Sequence, residues 1–344
     1  MRGLIAGVLA VSSAALVPHV GFAAAEPTPA FVREADIVAP DGRWDYANWD
    51  AGHGRLLVAH GTDVLVIVPA GEANAKPVVR AIGTIVGAHA ALAIPGGNRI
   101  LVTSGRDNTV RILDAESGEQ LSSIAVPANP DAALIGPDGN TAYVMAAKAG
   151  IASIIDLTAM REVRQIALKP GLEMPLLVNT HLLAVNNEDA NEIELADPVA
   201  GKPLGTIALP GCEGPTGLAY APADGLALAS CANGQAALVD LAARKLVQRV
   251  PIGAGPDAVI WDAVRHRFLI PSGKTGTLAV ITLDHGKARV VATIPTEPSA
   301  RTAALDPVSG HLYSPAARFL PAEPGKRAEI APGSFHLVVL KPAG

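Results

Sequence analysis

The chain has 344 residues, with 27 Lys and Arg against 32 Asp and Glu, a formal net charge of −5, 49% hydrophobic residues and only 3% aromatics. That balance excludes the broad basic footprint of a nucleic-acid binder, and so few aromatics leave few stacking platforms for single strands. No stretch beyond the N-terminal region is long and apolar enough to span a bilayer.

The first residues are expected to be an export signal. A short positive start (Met1–Arg2) precedes an apolar run over 4–17, and Ala23, Ala24 and Ala25 supply the small residues of a cleavage site. Cleavage is expected after Ala25, in a periplasmic or secreted protein. Residues 26–30 then read as a Pro-containing linker. Residues 31–38, FVREADIV, read as one strand with no hairpin partner of its own.

A repeat follows. Its clearest copy, residues 253–294, holds four short apolar runs separated by Gly, Asp, Pro and Lys turns, the pattern of antiparallel strands. Such a sheet cannot bury both faces alone and needs copies as neighbours. The copies run over about 42–85, 86–126, 127–168, 169–209, 210–252 and 253–294, and a seventh starts at Pro295. A period near 42 residues with four strands per copy predicts an all-β, seven-bladed β-propeller as a single domain over 31–342. The seventh copy runs out of chain after three strands. VREADIV (32–38) matches the outer strand ARVVATI (288–294), so the N-terminal strand is expected to pair with the last blade and close the ring. Residues 316–333 interrupt the seventh copy and read as a flap over one face.

Cys212 and Cys231 are the only cysteines and share the fifth copy. Export permits a disulfide between them, worth about 3 kcal/mol in the chain-entropy account; two buried thiols are the alternative. No Cys-x-x-Cys, haem-attachment motif or nucleophile elbow occurs.

The segments SGRDNTVRILDAESGE (104–119), NPDAALIGPDGNTAYV (129–144) and ARTAALDPVSGHLY (300–313) resemble the YVTN-repeat, YncE-like exported propellers over essentially all of 31–341. The resemblance implies the propeller fold and an exported location, and says little of activity. Two departures stand out: the fourth copy has Leu172-Glu173 where others have Pro-Asp, and the signature tetrapeptide is nowhere intact.

Aligning the copies on the first strand places Asp45, His89, Asp131, Glu173, Thr216, Asp257 and Arg301 in one column, 41 to 44 residues apart. These positions should ring the central mouth, with Glu213 close by. A structural role for Asp131 and Asp257, as turn residues bonding backbone, is the alternative for each taken singly. Taken as a ring, converging carboxylates raise each other's pKa unless compensated by Arg301, a cation or a cationic ligand. The loops between second and third strands add His60, Arg106, Asp107, Asn186, Glu188 and Lys274 on the same face. Glu173, Asn186 and Glu188 form an oxygen-rich set suited to Ca²⁺ or Mg²⁺, whereas His89 with Asp45 and Asp131 suits a transition metal. A solvated turn at 186–192 is the other reading. His53, His181, His266 and His311 fall in turns on the opposite face and are expected to be solvated. Ser104, Ser230, Ser272 and Ser314 recur at second-strand ends and are expected to cap backbone. The expected function is binding of a small ligand or protein partner at the mouth by a monomer. The alternative is a divalent-metal-assisted hydrolase or lyase of lactonase type.

Overall fold

The computed structural model describes residues 30–71, 76–322 and 325–343. The expected export signal over 1–25 and most of the linker lie outside the described residues. Among those described there is no helix, and seven antiparallel sheets account for the strands. The first blade is typical, with strands Ala47–Asp50, Arg55–His60, Asp63–Val68 and Val78–Ile82 paired in sequence order.

Side-chain alternation explains why these strands form a ring. In Arg55–His60, Leu56 and Val58 face the seam with the last blade, while Leu57 and Ala59 face the seam with the second. All four are fully buried, each leucine stabilising by roughly 1.5–3 kcal/mol. Inner strands therefore read as continuous apolar runs. Outer strands such as Arg161–Ala167 are mostly exposed and carry the charge. Seven apolar clusters fill the seven seams, one between each pair of neighbouring blades.

The last blade comprises Ala304–Leu305, Leu312–Ala316 and His336–Pro342, and the N-terminal segment supplies its outer strand. The expected single strand is in two pieces, Phe31–Arg33 and Ile37–Val38, both paired with His336–Pro342. The acids at the interruption, Glu34 and Asp36, are both ion-paired. Glu34 is drawn to Lys341 (2.9 Å) and His311 (3.1 Å), and Asp36 to Arg33 (2.7 Å), which also reaches Glu297 (2.5 Å). His311 is consequently not solvated as its turn position suggested; it clamps the closing segment.

Cys212 and Cys231 are disulfide-bonded, with Cα atoms 5.3 Å apart. The bond ties the loop entering the fifth blade to that blade's second strand, and suits an oxidising compartment.

Candidate functional site: the charged mouth of the channel

Backbone positions around the mouth are set by bonds between blades. Tyr46 N–H donates to His89 O (3.0 Å), Asp257 N–H to Arg301 O (3.1 Å), and the Thr302 hydroxyl to Asp45 O (2.8 Å). The Thr103 hydroxyl holds Asp131 O (2.8 Å), and the Thr216 hydroxyl holds Pro256 O (3.1 Å). Asp45, His89, Asp131, Asp257 and Arg301 thus each start from a carbonyl or amide anchored by a neighbouring blade.

From these anchors the side chains link into a chain of charges. His89 Nδ1 lies 2.7 Å from Asp45 Oδ2 and 3.6 Å from Asp131 Oδ1. Arg301 Nε donates to Asp257 Oδ2 at 2.6 Å, and Nη2 stands 3.6 Å from Asp45 Oδ1. The order Asp131, His89, Asp45, Arg301, Asp257 alternates in sign, so opposite charges are neighbours. A Cβ at Gly105 would stand 2.7 Å from the His89 ring, so a glycine there leaves the imidazole its place.

Burial governs the protonation of these groups. It raises the Asp131 carboxyl to about 7, helped by the Asp45 charge, and the Asp257 carboxyl to about 6, again with Asp45 contributing. Glu173 is also raised by burial, then by Asp131. For His89, burial works against the charged ring, but the bond to Asp45 and the charge of Asp131 prevail and raise its pKa. Three carboxyls at one opening thus hold protons more tightly than solvated acids do, as expected where like charges share a desolvated site.

Tyr46 was not singled out by sequence. Its side chain crosses from the first blade to the fourth and donates to Glu173 Oε2 at 2.9 Å. Only its place beside Asp45 in the column could have marked it. Burial and the Glu173 charge push its phenol well above the usual range.

Among the remaining candidates, His60 is buried, with Nδ1 2.9 Å from Asp63 and its ring against Phe335. Arg106 is exposed at the rim. Asp107 pairs with Arg111. Lys274 is exposed above Gly255 and forms no ion pair among the described residues. The oxygen-rich set is divided between seam and surface. Asn186 is fully buried in the seam between blades four and five, its amide donating to Thr216 O (3.0 Å) and Gly217 O (2.9 Å). Glu188 is exposed and acts on the ring through its charge. Nor is 186–192 a solvated turn throughout, because Asn187 and Glu192 are buried, as is Glu194 just beyond. Described groups close enough to share an ion are Asp45–His89–Asp131 at the mouth and Asp36–Glu297–His336 at the ring closure. Of the strand-end serines, Ser104 and Ser314 cap backbone as expected, at Val86 and Thr302.

The interruption of the last blade folds back as a hairpin, with Leu320 N–H bonded to Glu329 O (2.8 Å) and Ala331 N–H to Arg318 O (2.9 Å). Phe319 on this flap packs against Trp44, ring centroids 6.0 Å apart. Flap and mouth together enclose a pocket of ≈ 390 Å³ reaching Asp45, His89 and Arg301. A larger cavity of ≈ 830 Å³ opens on the opposite face beside Glu34, Trp49 and Tyr313. Its polar wall is spent internally, Glu34 on His311 and Lys341, and Trp49 stacks on Tyr313.

No protein-family model matches the sequence, and no curated protein matches it. Solved structures are similar in fold. A chain of Kuenenia stuttgartiensis hydrazine synthase aligns with TM-score 0.68 and 16% identity, covering 82% of this chain and 93% of that one. A chain in the crystal structure of a mitotic checkpoint complex aligns with TM-score 0.73 and 16% identity, covering 99% and 100%. At such identity the likeness concerns the seven-bladed propeller fold alone.

Proposed function

We propose that the chain is an exported, monomeric propeller of the YVTN-repeat, YncE-like kind that binds a small polar ligand at its mouth. One observation carries this reading: four blades converge Asp45, Asp131, Glu173 and Asp257 on one opening, with His89 and Arg301 between them. Asp131 and Asp257, whose carboxyls are raised to about 7 and about 6, can both donate and accept hydrogen bonds, and such groups concentrate at functional sites. The adjoining pocket falls within the ~300–1,000 Å³ of small-molecule sites. The disulfide and the expected signal support export, and the net charge of −5 argues against nucleic acid.

The test exposes purified protein to an extract of its native growth medium and identifies retained small molecules by mass spectrometry. A species held by the wild type and lost from the Asp131→Ala/Asp257→Ala variant, folded by circular dichroism, is the expected result. Equal retention by both proteins would refute the assignment.

A second reading has its own observation, the Asp45–His89–Asp131 triad, whose ligand atoms lie within 4.8 Å of one another. These residues could hold a divalent ion that polarises a carbonyl while Asp257 or Glu173 moves a proton, as in a hydrolase or lyase. The internal pairing of His89 and Arg301 with the acids favours the binding reading. Metal analysis of the purified protein separates the two: stoichiometric metal, with an activity abolished by chelator, would favour the enzyme.

A further inference from the structure

The pocket between flap and mouth has a chemistry of its own. Its wall holds four arginines, Arg43, Arg106, Arg301 and Arg327, and three aspartates, Asp41, Asp45 and Asp63. The aspartates are already engaged. Asp41 accepts the amides of Gly333 (2.5 Å), Ser334 (3.1 Å) and Phe335 (3.0 Å); Asp63 takes His60, and Asp45 takes His89. Of the arginines, Arg301 is engaged with Asp257 and Asp45, and the other three are not. Arg43 donates to the Ala328 carbonyl, a neutral partner, and no carboxylate among the described residues pairs with Arg43, Arg106 or Arg327. Each guanidinium carries five N–H donors, so most of this donor capacity is unspent.

A second, independent observation points the same way. Trp44 is 5% exposed, and its indole nitrogen, which can only donate, is buried with no acceptor. An orphaned buried donor in a pocket wall calls for an explanation, and an acceptor brought by a ligand supplies one. The same wall is aromatic: Phe319, 39% exposed, offers an open ring edge beside Trp44.

We infer that this pocket takes a small anion, a carboxylate or a phosphate, carried on a flat apolar body. The anionic oxygens meet Arg43, Arg106 and Arg327 and accept the Trp44 indole N–H, and the apolar body lies against Phe319. Guanidinium forks match both oxyanions, so the shared chemistry is the oxyanion. The inference rests on the mouth being a binding site and names the class of ligand it admits.

Calorimetric titrations with benzoate and with phenyl phosphate test it, against benzyl alcohol and benzylamine as neutral and cationic probes of similar size. Binding of either anion, with benzyl alcohol and benzylamine inert, is expected, and which anion binds identifies the oxyanion. Arg106→Gln/Arg327→Gln, at exposed positions that brace nothing, should weaken that binding about tenfold or more, and Phe319→Ala should weaken it further. Three results would overturn the inference: no heat with either anion, comparable binding of benzylamine, or unchanged binding by the double variant. Failure here is separable from failure of the mouth reading. If the anions do not bind while extract retention still depends on Asp131 and Asp257, only the oxyanion assignment falls. If the anions bind and extract retention ignores those acids, only the carboxylate ring falls.

Discussion

Replacing Asp131 by Asn should make the protein more stable at pH 8 and leave it nearly unchanged at pH 4. Burial and the Asp45 charge raise the folded-state pKa of Asp131 to about 7, against an ordinary value of 3.8. Between those two values the folded state binds more protons than the unfolded chain, so stability falls as pH rises, and it levels off above the folded pKa. Taken alone, three pKa units correspond to about 4 kcal/mol. The net effect is smaller because Asp131 also faces His89 at 3.6 Å, an attraction lost with the charge. A gain of roughly 1–3 kcal/mol at pH 8 is therefore expected. Urea unfolding of wild type and variant at pH 4, 5, 6, 7 and 8, with the disulfide intact, measures it directly. Stability curves that stay parallel across this range would refute the claim that Asp131 is a desolvated carboxyl facing like charges.

Arg301→Ala should destabilise by roughly 2–4 kcal/mol at pH 8, since it strands the Asp257 carboxylate; the loss should shrink at pH 5, where Asp257 can protonate. Chemical denaturation at the two pH values checks this. Tyr46→Phe removes the bond that spans the channel and should cost about 1–2 kcal/mol in thermal or urea unfolding without altering the far-ultraviolet spectrum. Cys212→Ser/Cys231→Ser opens a bond closing a separation of 19 residues and should cost about 3 kcal/mol, with reducing agent then having no further effect.

Much of the architecture was legible because it repeats. A period near 42 residues locates every blade, and the match between 32–38 and 288–294 foretold which strand closes the ring. The ion pairs of Glu34 with His311 and Lys341 were not legible, since those partners lie nearly the whole chain away. The column of charges brought Asp45, His89, Asp131, Asp257 and Arg301 into contact because equivalent blade positions share one radius. Spacing carries no side-chain direction, however. Asn186 sits at the expected height but turns into a seam, where two carbonyls capture its amide. Tyr46 reaches Glu173 because the channel is narrow enough for one phenol to cross, a dimension no local pattern reports. Arg43 and Arg327 meet only once the flap has folded over the first blade.

The mouth as a binding site is the central claim. Crystals of the protein soaked in an extract of its native growth medium test it most directly, through difference density. Density for a bound molecule in hydrogen-bond contact with Asp131, Asp257 or Arg301 is the predicted result. A mouth holding only ordered water, with ligand density instead in the cavity beside Trp49 and Tyr313 on the opposite face, would contradict it.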